Sequence, residues 1–267
     1  MGTLLRPFMT AFVFLIILVT EAVRNSLGYS PLLADDFPVW ILYAGIILMI
    51  LSIVFSFYIR DRTVKRHEEI IKEGNDALSL GEDEFFYQAP LYRADRQRIQ
   101  IHGRSDILYS LYFNNTFEKW FAIIVPLPVY GIHLRSEQYE VKIRCDKLFS
   151  FKYRYSIYIN DKYFGRFSNH RLTSKKGISQ FLPFYVETEQ HLYNVNNSFG
   201  ELTTSIFKDD QKELLRGERS LFDLKKSQKT NLRGEKHEIE VMDNEEPAEL
   251  WLAVYALCMI FKDESSG

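Results

Sequence analysis

Only two cysteines occur in 267 residues, Cys145 and Cys258, and both sit among apolar neighbours. Two thiols so placed build neither a disulfide framework nor a metal knuckle, and a reducing compartment is the simpler reading. The six histidines, at positions 67, 102, 133, 170, 191 and 237, show no pair at metal-ligand spacing. The phosphate-binding pattern G-x-x-x-x-G-K-[ST], the zinc pattern H-E-x-x-H and the nucleophile pattern G-x-S-x-G are all missing. The expectation is a non-enzymatic chain without metal or cofactor. A formal net charge of -2 lacks the excess of cations that a nucleic-acid polymer demands.

Apolar runs and aromatics take the place of chemistry. Pro7 to Thr20 is a run of fourteen uncharged residues. It is short for a bilayer and resembles a signal-peptide core, yet no small-residue cleavage site follows it. Leu4 to Val23 reaches spanning length if Arg6 and Glu21 snorkel, which places a first span at about residues 4–23, retained or cleaved. Phe37 to Ile59 holds 23 residues without a charge, enough for a second span. Arg60, Arg62, Lys65, Arg66 and Lys72 come next, whereas the loop from Arg24 to Asp36 holds one arginine and two aspartates. The positive-inside rule therefore expects the N-terminus, and everything from residue 60 onward, on the cytoplasmic side of the plasma membrane. Residues 1–59 form the anchor. Residues 60–84 read as a juxtamembrane connector, a helical stalk ended by Gly74-Asn75 or Gly81.

From residue 85 the pattern changes to short strands. The chain holds 21 Phe and 16 Tyr, which suits strands better than helices. Phe85-Phe86-Tyr87 opens the series, and Ile99 and Ile101 alternate with polar neighbours. Leu108 to Phe113 and Phe117 to Val125 flank a turn signal at Asn114-Asn115, and Pro126 and Pro128 then interrupt pairing. Tyr139 to Cys145 and Phe151 to Ile159 alternate cleanly, and Asn160-Asp161 marks a tight turn before Tyr163 to Phe167. Further runs lie at Ile178 to Val186, His191 to Val195, Leu202 to Phe207 and His237 to Val241. Residues 208–236 read as a hairpin with a long mobile loop near Lys225 to Gly234.

Near the end come twelve consecutive apolar residues, Leu250 to Phe261. Asp243 or Asn244 can cap a helix here, Pro247 fits its first turn, and Lys262 suits its negative end. Such a helix is about 18 Å long, too short for a bilayer core of about 30 Å. Apolar on every side, it must be enclosed on every side. Two arrangements do this: a β-barrel with the helix, at 247–261, through its middle, or a helix between two layers of an α+β domain.

The layout of aromatic-rich strands closed by a wholly apolar helix resembles the tubby C-terminal superfamily, which includes LURP-one-related proteins and phospholipid scramblases. The resemblance covers residues 85–263. It implies a mainly β fold, a barrel of about twelve strands around a central C-terminal helix. No run matches the family's phosphoinositide-binding cations residue by residue, and the two N-terminal spans lie outside the family's pattern.

One segment concentrates cations. Residues 135–176 hold eleven basic residues against four acids, whereas residues 235–264 hold nine acids and two lysines. If Tyr139 to Cys145 and Phe151 to Ile159 form a hairpin closed by residues 146–150, Arg144 faces Lys152 and Lys142 faces Arg154, all on one face. Lys142, Arg144, Lys152 and Arg154 are the candidate site for an anionic lipid headgroup or ligand, unless acids on an adjacent strand neutralise them. The functional expectation is a membrane-anchored, non-enzymatic tubby-like protein that binds anionic lipid headgroups or a protein partner. The alternatives are a two-span β-barrel effector gated by a nucleotide second messenger, and a lipid scramblase.

Overall fold

The structure, a computed structural model, describes residues 5–30, 40–73, 80–90, 93–95, 97–124, 129–147, 153–170, 183–197, 202–220, 230, 232–243 and 245–265. Two helices come first, α1 (Leu5–Ser26) and α2 (Trp40–Glu73). They pack together where Gly45 meets the ring of Phe14: a Cβ at Gly45 would lie 2.7 Å from that ring. Among the described residues one helix, Tyr43–Ile71, is long and apolar enough to cross a membrane, which suggests membrane association. The two-span expectation therefore gives way to one such helix. The charge-free stretch of α1, Pro7 to Thr20, is about 21 Å long in a helix, short of the bilayer core. On α2, Leu48, Leu51, Val54, Phe55 and Tyr58 are exposed, a surface that water does not favour.

Twelve strands follow: β1 (Glu84–Gln88), β2 (Ile99–His102), β3 (Ile107–Tyr112), β4 (Gly131–Arg135), β5 (Glu140–Cys145), β6 (Arg154–Ile159), β7 (Lys162–Asn169), β8 (Phe184–Glu187), β9 (Leu192–Asn196), β10 (Thr203–Lys208), β11 (Lys212–Arg219) and β12 (Lys236–Val241). Each pairs antiparallel with the next, and β1 pairs with β12, so the barrel closes in sequence order. Tight turns join β6 to β7 and β10 to β11. Asn160 and Asp161 (φ 48° and 63°) supply the left-handed pair that the two-residue β6–β7 hairpin needs, and Asp209 and Asp210 (φ 49° and 58°) do the same for the three-residue β10–β11 turn, where the Gln211 N–H donates to the Lys208 carbonyl at 3.0 Å.

Helix α3 (Thr116–Ile124) lies between β3 and β4. This overturns the strand expected over Phe117 to Val125. Asn115 accepts the Glu118 backbone N–H at 2.8 Å, and the Glu118 carboxylate accepts the Asn114 backbone N–H at 2.8 Å. That reciprocal capping starts a helix, and a short apolar run cannot by itself declare its period.

The last helix, α4 (Ala248–Ser265), runs through the barrel, and Leu250 to Phe261 are each at most 3% exposed. Eight strands enclose just enough room for side chains; twelve leave room for a helix about 10 Å across. The wall supplies Phe85, Ile101, Ile132, Val141, Ile157, Val186 and their inward neighbours. Where β11 passes closest the wall has no side chain: a Cβ on Gly217 would sit 2.3 Å from the Tyr255 ring. Asp243 does not cap α4. Its carboxylate accepts the Trp251 indole N–H at 2.8 Å, which satisfies the one polar atom of that buried ring.

Leu257→Asp should place an unpaired charge among these walls, cost several kcal/mol and lower the melting temperature sharply or prevent folding. Leu192→Asp, on the outer surface, should stay within about 0.5 kcal/mol. Thermal melts of the full chain in detergent check both.

Candidate functional site

Residues 40–73 form one unbroken helix from the apolar stretch to the barrel. Phe57 meets Trp120 of α3 edge-on, with ring centroids 5.8 Å apart. Arg60, the first charge after the apolar stretch, pairs with Asp95, and Lys119 of α3 reaches the same carboxylate at 2.8 Å. The Asp95 side chain is 1% exposed, so this clamp is shielded from water. Further along α2, buried His67 shares a crevice with Ile70, Ile71, Gln88, Ile99 and His102. One end of the barrel thus meets the apolar part of α2. It is the end where β3, β5 and β7 finish and β4, β6 and β8 begin. The far end carries the tight turns and the start of α4.

The four candidate cations lie on β5, on β6 and in the connection between them. Lys152 lies outside the described residues. The hairpin register differs from the expected one: Lys142 faces Tyr158, Arg144 faces Ser156 and Cys145 faces Tyr155. The connection is longer than five residues, since Asp146 still donates its N–H to the Arg154 carbonyl at 2.9 Å. The shift is an even number of residues, so Lys142, Arg144 and Arg154 keep a common outward face. They are not opposed to one another, and the like-charge conflict does not arise.

Each cation has its own surroundings. Lys142 pairs with Asp161 and Glu140, both at 2.9 Å. Its hydrogen bonds hold both carboxyls below the usual carboxylate range, and theirs raise the lysine. This is neutralisation by neighbouring acids, and Lys142 has little charge left to offer. Arg144 lies over two rings, 4.9 Å from the Tyr158 centroid and 5.4 Å from that of Tyr112. Aromatic faces hold a guanidinium without cancelling its charge. Arg154 is exposed at the start of β6, at the barrel end nearest the apolar helix, with no ion pair among the described residues. Lys147, exposed just after β5, stands at the same end. The arrangement suits an anionic surface lying against this end better than a discrete pocket.

A second polar cluster lies inside, around α4. His237 on β12 is fully buried, stacks on Tyr87 at 4.3 Å between centroids, and meets the Tyr255 hydroxyl at 3.0 Å through Nδ1. Arg93 pairs with Asp263 at 2.5 Å, and Arg219 with Glu235 at 2.9 Å. Burial, and then the Arg93, Arg219 and Lys262 cations, hold His237 well below the usual histidine range. This cluster went unnoticed in the sequence; the signal was His237 at an inward position of an alternating strand. The two cysteines are raised by burial and suit packing rather than nucleophilic work. No group of three or more metal-ligating side chains occurs among the described residues.

Comparison with known protein families, curated proteins and solved structures finds no match to this chain.

Because folding holds His237 neutral, the unfolded chain binds the extra proton first. Its contribution to stability is present above the unfolded-state value of about 6.5 and is lost as pH falls below it. Stability should therefore decline through the mildly acidic range. His237→Gln should flatten that decline by up to about 1.4 kcal/mol per pH unit, one proton's worth. Denaturant titrations at several pH values measure the slope.

Proposed function

We propose that this chain is a membrane-anchored, non-enzymatic tubby-like module. On this reading it holds its barrel at the cytoplasmic face of the plasma membrane and contacts anionic lipid headgroups there. The observation that carries the reading is the continuity of α2, which leaves its apolar stretch at Ile59 and runs on as a helix seated on the barrel. A barrel of twelve antiparallel strands around an apolar C-terminal helix supports the tubby-like part. The packing of α1 on α2, where Gly45 meets the Phe14 ring, places a second helix beside the one that is long enough to cross. The cations after Ile59 support the cytoplasmic placement.

The contact surface on this reading is the barrel end that carries Arg144, Lys147 and Arg154. Each cation near an anionic surface is worth roughly 1 kcal/mol, so their contribution is modest and salt-sensitive. A nucleotide-gated effector needs room for its ligand, and α4 occupies the barrel interior. That counts against the effector reading and leaves a protein partner or lipid scrambling as the competitors.

Two measurements test the proposal. A reporter active only outside the cytoplasm, fused after Gly267, should stay silent; activity would reverse the orientation. The detergent-solubilised full chain should bind a short-chain anionic phospholipid more tightly than a neutral one, and less so at high salt. Arg144→Glu with Arg154→Glu should weaken that binding roughly 30-fold, about 2 kcal/mol for two contacts. Unchanged binding by the double variant removes these cations from the site.

A further inference from the structure

We infer that α3 is an interfacial helix: Phe117 and Trp120 enter the headgroup layer of the bilayer that α2 crosses, and they fix the barrel end-on against it. The inference rests on the anchored reading.

Exposure comes first. Phe117 is 64% exposed and Trp120 46%. They stand three residues apart, on one face of the helix, while Glu118 and Ala122 are buried on the other. Among the described residues of the barrel, the other exposed large apolar side chains are Tyr163, at 56%, and Leu192, at 37%. Those two stand singly beside the tight turns of the far end. The exposed aromatic pair lies at the end the apolar helix enters.

Level comes second. Trp120 touches Phe57, which belongs to the last turn of α2 before its charges begin. The Arg60 guanidinium lies 5.8 Å from the Phe57 ring centroid. A boundary between a charge-free helix and its first cations marks the membrane–water interface, where tryptophan rings are enriched. Trp120 is held at that boundary by contact and not by sequence position.

Rigidity comes third. The Asp95 carboxylate holds Arg60 of α2 and Lys119 of α3 together. The Asn115 and Glu118 capping bonds fix the start of α3. The aromatic face of α3 therefore cannot swing away from the plane that α2 defines. A second copy of the chain is a poorer occupant. Two aromatic side chains offer at most about 500 Å², well short of the roughly 800 Å² per partner that a stable interface buries. A bilayer already in contact with Phe57 needs no further area.

The test uses the full chain in phosphatidylcholine–phosphatidylglycerol vesicles, with Cys145→Ser to leave buried Cys258 as the remaining native thiol. Nitroxide labels are placed at Leu48→Cys, Phe117→Cys and Gln138→Cys, one variant each. Accessibility to oxygen and to a water-soluble nickel chelate reports depth. The label at 48 should be in the hydrocarbon, that at 138 in water, and that at 117 at headgroup depth. An aqueous label at 48 overturns the anchored reading itself. Hydrocarbon at 48 with an aqueous label at 117 overturns the interfacial helix alone. A label at 117 shielded from both reagents means protein contact and also overturns it. Should Cys145→Ser unfold the chain, Trp120→Phe in otherwise native protein gives a second reading. It should remove a measurable share of the tryptophan quenching caused by shallow brominated lipid, and no loss of quenching overturns the inference.

Discussion

Twelve residues of α4 have no side that faces water, and keeping every one of them at 3% exposure or less takes walls in all directions. A single sheet or a helical neighbour covers one face. A sheet that closes on itself covers all of them, and closure also removes the edge strands that would invite aggregation. The number of strands, the inward aromatics and the bare backbone at Gly217 are adjustments to the width of that helix. The polar fixtures sit at its two ends. Asp243 takes the Trp251 indole at one end, while Lys262 donates to Asn197 at 2.7 Å and Asp263 binds Arg93 at the other. Side chains that would be expensive to bury alone are thus paired where the barrel opens.

A filled barrel moves any ligand chemistry to the outside or the rims. The outer face of β5 and β6 shows how local surroundings divide similar cations. Lys142 carries the same formal charge as Arg154, yet two carboxylates within 2.9 Å leave it committed. Arg144 is oriented by tyrosines, which restrict its rotamers and leave its charge outstanding. Position along a strand, and not residue type, decides which cations remain for an external anion.

Much of this architecture was legible because its signals are local. Strict alternation in Val141, Ile143 and Cys145 announces β5 and its inward face, and Asn160-Asp161 announces the turn from β6 to β7. The apolar completeness of Leu250 to Phe261 announces enclosure. What was misread depends on partners distant in sequence or on a short ambiguous run. α3 is nine residues long and apolar enough to pass for a strand; the cap at Asn115 and Glu118 was the available correction. The register of β5 on β6 depends on where the connection closes, which alternation alone does not specify. β4 went unremarked in the shadow of Pro126 and Pro128, and β11 was blurred by the charges around it. The neutralisation of Lys142 needs Asp161, nineteen residues away, which becomes a neighbour when the β6–β7 turn brings it back.

On the proposed anchored reading, the seated half of α2 changes what the anchor can do. A flexible tether of 25 residues would have a root-mean-square reach of about 25–30 Å and let any face of the barrel meet lipid. The helix from Arg60 to Glu73 instead lies along the wall, clamped at Asp95 and packed at His67. It supplies both proximity and orientation, so the entropy of approach is already lost in folding. If the barrel meets lipid as proposed, contacts of roughly 1 kcal/mol, too weak to recruit a free domain, are then sufficient. The residues able to read it are those on the rim that α2 presents. On that reading a modest basic segment is enough, because α2 has already fixed which rim faces the surface.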